Sequence, residues 1–171
     1  MKAGRPLRGV RKRKELSQEN VAHDLYISKQ LVSHMENDRR TLSEELAKKS
    51  VSYFGEARYG YEIAHEIAAD FIPPLATANK GIEWHRLALE ETFKVQASEA
   101  IEILDKISLA KHPSFIDEEE KRSIELAVKE LLDVQLILSS FLSKLEHAYP
   151  ISVKDCMRKR LPNWKVMGWI E

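Results

Sequence analysis

Three observations on the 171-residue sequence predict an all-α protein. Apolar residues recur at spacings of three and four along most of the chain, and no run shows the alternation typical of a strand. Serines suited to helix N-caps precede several of these runs, at Ser17, Ser28 and Ser43. Pro73 and Pro74 stop one helical pattern, and short links separate the others. We therefore expect a chain of successive helices.

Four short helices are predicted within the first 55 residues. They span about residues 6–14, 18–25, 29–37 and 44–50. The second and third are joined by only three residues, so they must cross at a steep angle. The apolar positions that would face each other at this crossing are Val21, Ala22, Leu25, Ile27, Val32 and Met35.

Longer helices are predicted for the remaining residues. A helix over about 61–71 ends at the two prolines, and two long helices follow over about 82–110 and 117–148. The short link between the long helices predicts an antiparallel hairpin about 40 Å long. The chain ends in a short helix and two tryptophans, Trp164 and Trp169, expected to pack on the body. Two glycines within residues 50–60 mark a junction, so we expect a head over residues 1–55 and a helical body over 56–171.

The second long helix has an apolar seam with a heptad pattern. Four members repeat every seven residues and three are interleaved with them: Ile124, Leu131, Leu138 and Leu145, and Val128, Gln135 and Leu142. So wide an apolar surface predicts more than one packing partner. The polar Gln135 could fix register or oligomeric state, or could lie at the edge of the seam.

Charge is distributed unevenly along the chain, although the formal net charge is zero. Residues 1–55 contain 12 Lys and Arg against 7 Asp and Glu, a balance of +5, and residues 56–171 contain 15 against 20, a balance of −5. A positive head is typical of nucleic-acid binding, because phosphate contacts supply most non-specific affinity. A solvated basic face would give the same pattern.

Several other classes of protein are not indicated. The apolar runs are too short for a membrane span and residues 1–14 lack the apolar core of a secretory signal, so we expect a cytoplasmic protein without membrane association. The lone Cys156 cannot form an internal disulfide. Residues 65–69 begin like a zinc-protease motif, but Ala69 occupies the position of its second histidine. We expect no enzyme activity, no metal and no cofactor.

Residues 7–37 resemble the helix-turn-helix of the Xre/Cro/phage-repressor family. The matching positions are Leu7, Val10, Arg11, residues 16–18, Val21, Ala22, Leu25, Ile27, Ser28, Val32, Ser33, Met35, Glu36 and Asn37. The resemblance covers about the first 55 residues. It implies a repressor-like domain whose third helix, starting at Lys29, lies in the DNA major groove, where base edges are distinguishable. The protein would then be a sequence-specific transcriptional regulator of bacterial or phage type, expected to act as a repressor.

The resemblance also implies roles for individual side chains. The base-reading residues would be Ser28, Lys29, Gln30, Ser33 and His34. Gln30 suits adenine, and Lys29 suits guanine or a phosphate. The DNA backbone would be held by Gln18, Arg39 and Arg40. Arg11 and Glu36 would form an internal ion pair that stabilises the head.

Two positions depart from the family pattern. Tyr26 and Asp38 occupy places where glycine with a positive φ is usual. A bulky residue in that conformation costs on the order of 1 kcal/mol. Neither departure removes a base-reading side chain.

The expected partner is a double-stranded DNA operator. One head reads only a few base pairs, so we expect a homodimer joined through the C-terminal helices. The alternative is an interaction or sensing module, in which the body binds a protein or small-molecule effector and the head only anchors it to DNA.

Overall fold

The computed structural model describes residues 1–77 and 83–171. The described residues are helical and contain no strand, which confirms the all-α prediction. Eight α-helices lie within them: α1 (Gly4–Arg13), α2 (Gln18–Leu25), α3 (Lys29–Glu36), α4 (Glu44–Phe54), α5 (Ala57–Ile67), α6 (Arg86–Lys106), α7 (Glu118–Ala148) and α8 (Val153–Val166).

The chain divides into two compact units. The first unit consists of residues 1–74 and 145–171, and the second consists of the described residues between Leu75 and Lys144. The head over residues 1–55 and the body over 56–171 stay predictions.

The core of the first unit lies between α1, α2, α3, α4 and α5. At the crossing of α2 and α3, five of the six apolar residues expected there are at most 5% exposed: Val21, Ala22, Leu25, Val32 and Met35. The sixth, Ile27, is half-buried and packs against them. Leu7 and Val10 of α1 close the same core at 1% and 0% exposure. The inward faces of these short helices therefore hold the head together, as the spacing predicts.

The helix expected over residues 61–71 begins four residues earlier and ends four residues earlier. Gly55 ends α4 with a φ of 58°, and α5 starts at Ala57. Tyr59 on α5 is fully buried, and its hydroxyl lies 2.9 Å from the Ser50 hydroxyl of α4. Its ring meets that of Phe54 edge-on, with 5.2 Å between centroids. Burial of Tyr59 against α4 explains the early start, and Gly60 is accommodated inside the helix.

The second unit is built from α6 and most of α7. The rings of Phe93 on α6 and Phe141 on α7 stack with 6.3 Å between centroids. Phe93 lies in the first half of α6 and Phe141 near the end of α7, so this contact is compatible with an antiparallel hairpin. The expected start of the first long helix at residue 82 lies outside the described residues, and α6 begins at Arg86.

The C-terminal tryptophans differ in their surroundings. Trp164 on α8 is half-buried, whereas Trp169 is 65% exposed. The chain reverses at Gly168 with a φ of 68° and leaves Trp169 in solvent. The expectation that both tryptophans pack on the body is therefore wrong for Trp169.

Candidate nucleic-acid interface

Two serine caps set where α2 and α3 begin. The Ser17 hydroxyl accepts from the Asn20 backbone N–H at 3.0 Å, and the Asn20 side chain accepts from the Ser17 N–H at 2.9 Å. The Ser28 hydroxyl accepts from the Leu31 N–H at 3.1 Å. Each cap satisfies a backbone donor that the helix itself leaves free. The first turn of α3 is thereby fixed.

Tyr26 makes the turn between the two helices in a left-handed conformation, with a φ of 56°. Its side chain is 85% exposed, and Lys49 Nζ lies 4.5 Å from the ring centroid. The turn therefore has the backbone geometry that glycine would adopt. With tyrosine at this position, that geometry is sterically unfavourable.

Replacing Tyr26 with glycine is expected to raise the free energy of unfolding by about 1 kcal/mol, less a few tenths for the lost Lys49 contact. Urea denaturation followed by circular dichroism measures the change. Tyr26→Ala is the matched control, because it removes the ring and keeps the strained φ. A glycine variant no more stable than the alanine variant would show that the turn stores no strain.

One face of α3 is exposed and polar, and the opposite face is buried. Ser28, Lys29 and Gln30 are exposed, and Ser33 and His34 are half-buried. Four of the predicted contact residues line one groove of about 610 Å³ beside α3, namely Ser28, Gln30, His34 and Arg40. Lys29 and Ser33 do not line it. The structure thus brings base-reading and backbone-contacting candidates onto one concave surface.

The same groove is lined by two residues that the sequence did not assign to DNA contact, Thr41 and Ser43. They follow Arg40 in the link between α3 and α4, and the Ser43 hydroxyl caps α4 by accepting from the Leu46 N–H at 3.3 Å. Their place in the chain, directly after two predicted backbone contacts, is the signal that could have found them.

Lys29 is held by an acidic neighbour. Its ammonium group forms an ion pair with Glu19, which lies in the first turn of α2. The hydrogen bond from Lys29 lowers the pKa of the Glu19 carboxyl. The two residues are ten positions apart on different helices, so no single-helix spacing signals the pair in the sequence. A DNA phosphate or guanine that binds Lys29 would compete with Glu19 for the ammonium group.

Beneath this surface, Glu36 is a buried carboxylate with three donors around it. The group is 6% exposed, and Arg11 donates to it twice, Nε to Oε1 at 2.5 Å and Nη2 to Oε2 at 2.9 Å. Gln18 Nε2 donates to Oε2 at 2.8 Å. Arg11 also donates through Nη1 to the Leu16 carbonyl oxygen at 2.9 Å. These contacts join α1, α2 and α3 at one point.

Burial raises the pKa of Glu36, but the hydrogen bonds from Arg11 and Gln18 and the Arg11 charge outweigh it, so the pKa lies below its ordinary value of 4.5. Glu36 is therefore ionised at neutral pH. The Gln18 amide nitrogen is directed to this carboxylate in the head, and its contact with a DNA phosphate stays a prediction.

The segment after α3 holds two exposed arginines, Arg39 and Arg40. Their backbone N–H groups donate to the His34 carbonyl oxygen at 2.8 and 3.2 Å. Asp38 precedes them with a φ of 54°, and its Oδ1 accepts from the Gly4 N–H at 3.1 Å. The segment is thus attached to both α3 and the start of α1, and the two side chains extend from an ordered backbone.

The described residues contain neither a metal-binding cluster nor a membrane-spanning helix. In residues 1–77 and 83–171, no group of three or more His, Cys, Asp or Glu is placed to hold a metal ion. In the same ranges, none of the helices has the length and apolarity required to cross a membrane.

Comparison with known proteins identifies the class of the head. Residues 7–57 match a family model described as helix-turn-helix, which covers the Xre/Cro type. The resemblance of the N-terminal third to that family is confirmed, and residues 7–57 are similar to the DNA-binding domains of Xre-type regulators. This is a family of regulators and not of enzymes. No curated protein and no solved structure matches the chain.

Proposed function

We propose that this protein is a sequence-specific transcriptional regulator that reads operator half-sites in the major groove with α3. The observation that carries the proposal is the two-sided character of that helix. Val32 and Met35 are buried in a capped, tightly crossed helix pair, whereas Ser28, Lys29 and Gln30 are exposed. A rigid helix with a free polar face is what major-groove recognition requires.

In this proposal, α3 presents its first two turns to the base edges. The Gln30 amide donates to and accepts from adenine, and Lys29 leaves Glu19 to donate to guanine or a phosphate. Ser28, Ser33 and His34 contact adjoining positions of the half-site. Gln18, Arg39 and Arg40 bind the backbone and fix the register. Acting in the cytoplasm as a homodimer on two half-sites, the protein would repress by occupying the operator.

Gln30→Ala is expected to weaken operator binding by about 1 to 3 kcal/mol and to leave binding to random duplex DNA nearly unchanged. The loss is specific because a bidentate contact to a base is removed and no charge is changed. Titration of labelled operator and random duplexes at one fixed salt concentration measures both affinities.

Arg39→Ala is the matched control, because a phosphate contact should be lost equally on both DNAs. An equal loss on both DNAs for Gln30→Ala would remove this side chain from the base-reading set.

The alternative, an interaction or sensing module, is favoured by one feature of the first unit. A groove of about 560 Å³ lies between α4, α5 and α8, and its lining is largely apolar, with Val51, Tyr61 and Met157 among its residues. Its size is within the range of small-molecule sites. If an effector bound there were the main ligand, DNA affinity would be weak and would show no large ratio of specific to random binding.

A further inference from the structure

The apolar seam of α7 is only partly covered in a single chain. Within the second unit the seam consists of Ile124, Val128, Leu131, Gln135, Leu138 and Leu142. Val128, Leu131 and Leu138 are 50%, 47% and 38% exposed, and the other three are half-buried. In soluble monomers exposed apolar side chains are usually scattered singly, so a continuous row of them along one helix indicates a missing partner.

The contact between α7 and α6 uses a different face of α7. Phe141 stacks on Phe93 of α6, and Ala127, two heptads before Phe141 on the same face, is 3% exposed. Leu131 and Leu138 lie beside that face and are 47% and 38% exposed. The heptad seam predicted from the sequence is therefore available while the hairpin is intact.

The residue types in the seam indicate what covers it. Spacings of four and three alternate from Ile124 to Leu142, which places Val128, Gln135 and Leu142 at a positions and Ile124, Leu131 and Leu138 at d positions. Val128 at a, with Leu131 and Leu138 at d, is the combination that favours two parallel strands, whereas Ile124 at d and Leu142 at a depart from it. A single polar residue at a central a position fixes register and oligomeric state, because only its own counterpart satisfies its amide.

We propose that the seam binds the same seam of a second copy, as a parallel two-stranded coiled coil in which Gln135 pairs with Gln135 of the second copy. The interface is isologous, so each a and d residue meets itself across a two-fold axis. The proposal builds on the homodimeric regulator proposed above and names the surface that joins its two copies.

The size of this interface predicts a reversible dimer. The seam and its flanking positions amount to roughly a dozen residues. Interfaces usually bury about 800 Å² per partner with 20 to 30 residues, so this seam would bury about 400 Å² per copy. That area, about 800 Å² for the two copies together, is below the roughly 1,200 Å² of stable specific interfaces, so two free copies associate weakly. Two features favour association despite the small area. The first is that α7 is already folded on α6 and therefore loses little conformational entropy on binding. The second is that two adjacent operator half-sites would hold two heads close together and so raise the effective concentration of one copy near the other.

Disulfide trapping tests the geometry. Cys156, the lone cysteine, is exposed and is first replaced by serine. In a parallel, in-register coiled coil, Val128→Cys faces its own counterpart within the roughly 4.4 to 6.8 Å between Cα atoms that a disulfide requires. Leu126→Cys is the matched control, because residue 126 is 46% exposed on the opposite side of the same helix.

Under mild oxidation we expect Val128→Cys to form disulfide-linked dimers at least about tenfold faster than Leu126→Cys. Equal rates would overturn the proposal. So would slow trapping of Val128→Cys, because an antiparallel pair places residue 128 far from its counterpart.

Sedimentation equilibrium tests the same surface without cross-links. Leu131→Asp is expected to weaken self-association by at least about tenfold, and Leu126→Asp, at the same exposure, is expected to leave it unchanged. Circular dichroism checks that both variants keep their helices. Equal effects of the two variants, or a wild-type protein that stays monomeric at about 100 µM, would overturn the proposal. No DNA is present in either experiment, so failure here leaves the proposed reading of DNA by α3 to its own test.

Discussion

Arg11→Ala is expected to lower the free energy of unfolding by about 3 to 5 kcal/mol at pH 7. The substitution removes both guanidinium donors to Glu36 and leaves an ionised carboxylate that is 6% exposed, with Gln18 as its remaining side-chain donor. An uncompensated charge in the interior destabilises the folded state by far more than the intact pair stabilises it. Chemical denaturation of the wild type and the variant measures the difference.

The difference should shrink in acid. Because the pKa of Glu36 is lowered in the folded state, its contribution to stability is fully present above its unfolded value of about 4.5 and is lost as the pH falls through the folded value. Once Glu36 is protonated, the variant no longer has an uncompensated carboxylate there, and the wild type no longer gains from the ion pair with Arg11.

Arg58→Ala is the matched control for this prediction: Arg58 is 40% exposed and pairs at 3.0 Å with Glu62, which is 21% exposed and keeps Arg13 Nη2 at 3.7 Å as a second cation. Loss of the Arg58 side chain should lower the free energy of unfolding by less than about 1 kcal/mol. A cost for Arg11→Ala as small as that for Arg58→Ala would show that Glu36 is effectively solvated.

Gly4→Ala is expected to lower the free energy of unfolding by about 1 to 3 kcal/mol, through close packing of α1 on α3. A Cβ at this position would lie 2.5 Å from the Met35 carbonyl oxygen and 2.9 Å from that of Glu36. Both are backbone atoms at the end of α3 and cannot rotate away. The start of α1 would have to move, and the Gly4 N–H would be displaced from Asp38.

Gly60→Ala separates this steric effect from the general effect of glycine in a helix. A Cβ at residue 60, inside α5, meets nothing within 4 Å. Alanine there should be neutral or stabilising by up to about 1 kcal/mol, because it restricts the unfolded chain. Thermal denaturation of both variants gives the comparison. Equal stability of the two would mean that α1 can shift from α3 without cost.

Features that depend on local chemistry were predictable from the sequence. Ser17, Ser28 and Ser43 cap the helices that they precede, because an N-cap needs only a side-chain oxygen near the next turn. The buried face of the α2–α3 pair follows from apolar spacing alone. The left-handed backbone at Tyr26 and Asp38 followed from their places in the family pattern.

Contacts between distant segments were not predictable from the sequence. The ion pair of Lys29 with Glu19 and the hydrogen bond of Gln18 to Glu36 depend on how α2 and α3 cross, and no spacing rule encodes that. The early start of α5 depends on burial of Tyr59 against Ser50, a tertiary contact that outweighs the preference of glycine for loops.

The central claim is that α3 distinguishes bases, and selection of duplexes from a random pool by the wild-type protein tests it most directly. We expect an enriched sequence with two related half-sites, their centres one helical turn or a multiple of it apart. A selected pool with no enriched sequence, from a protein that still binds DNA, would contradict the claim and would leave the head with non-specific binding alone.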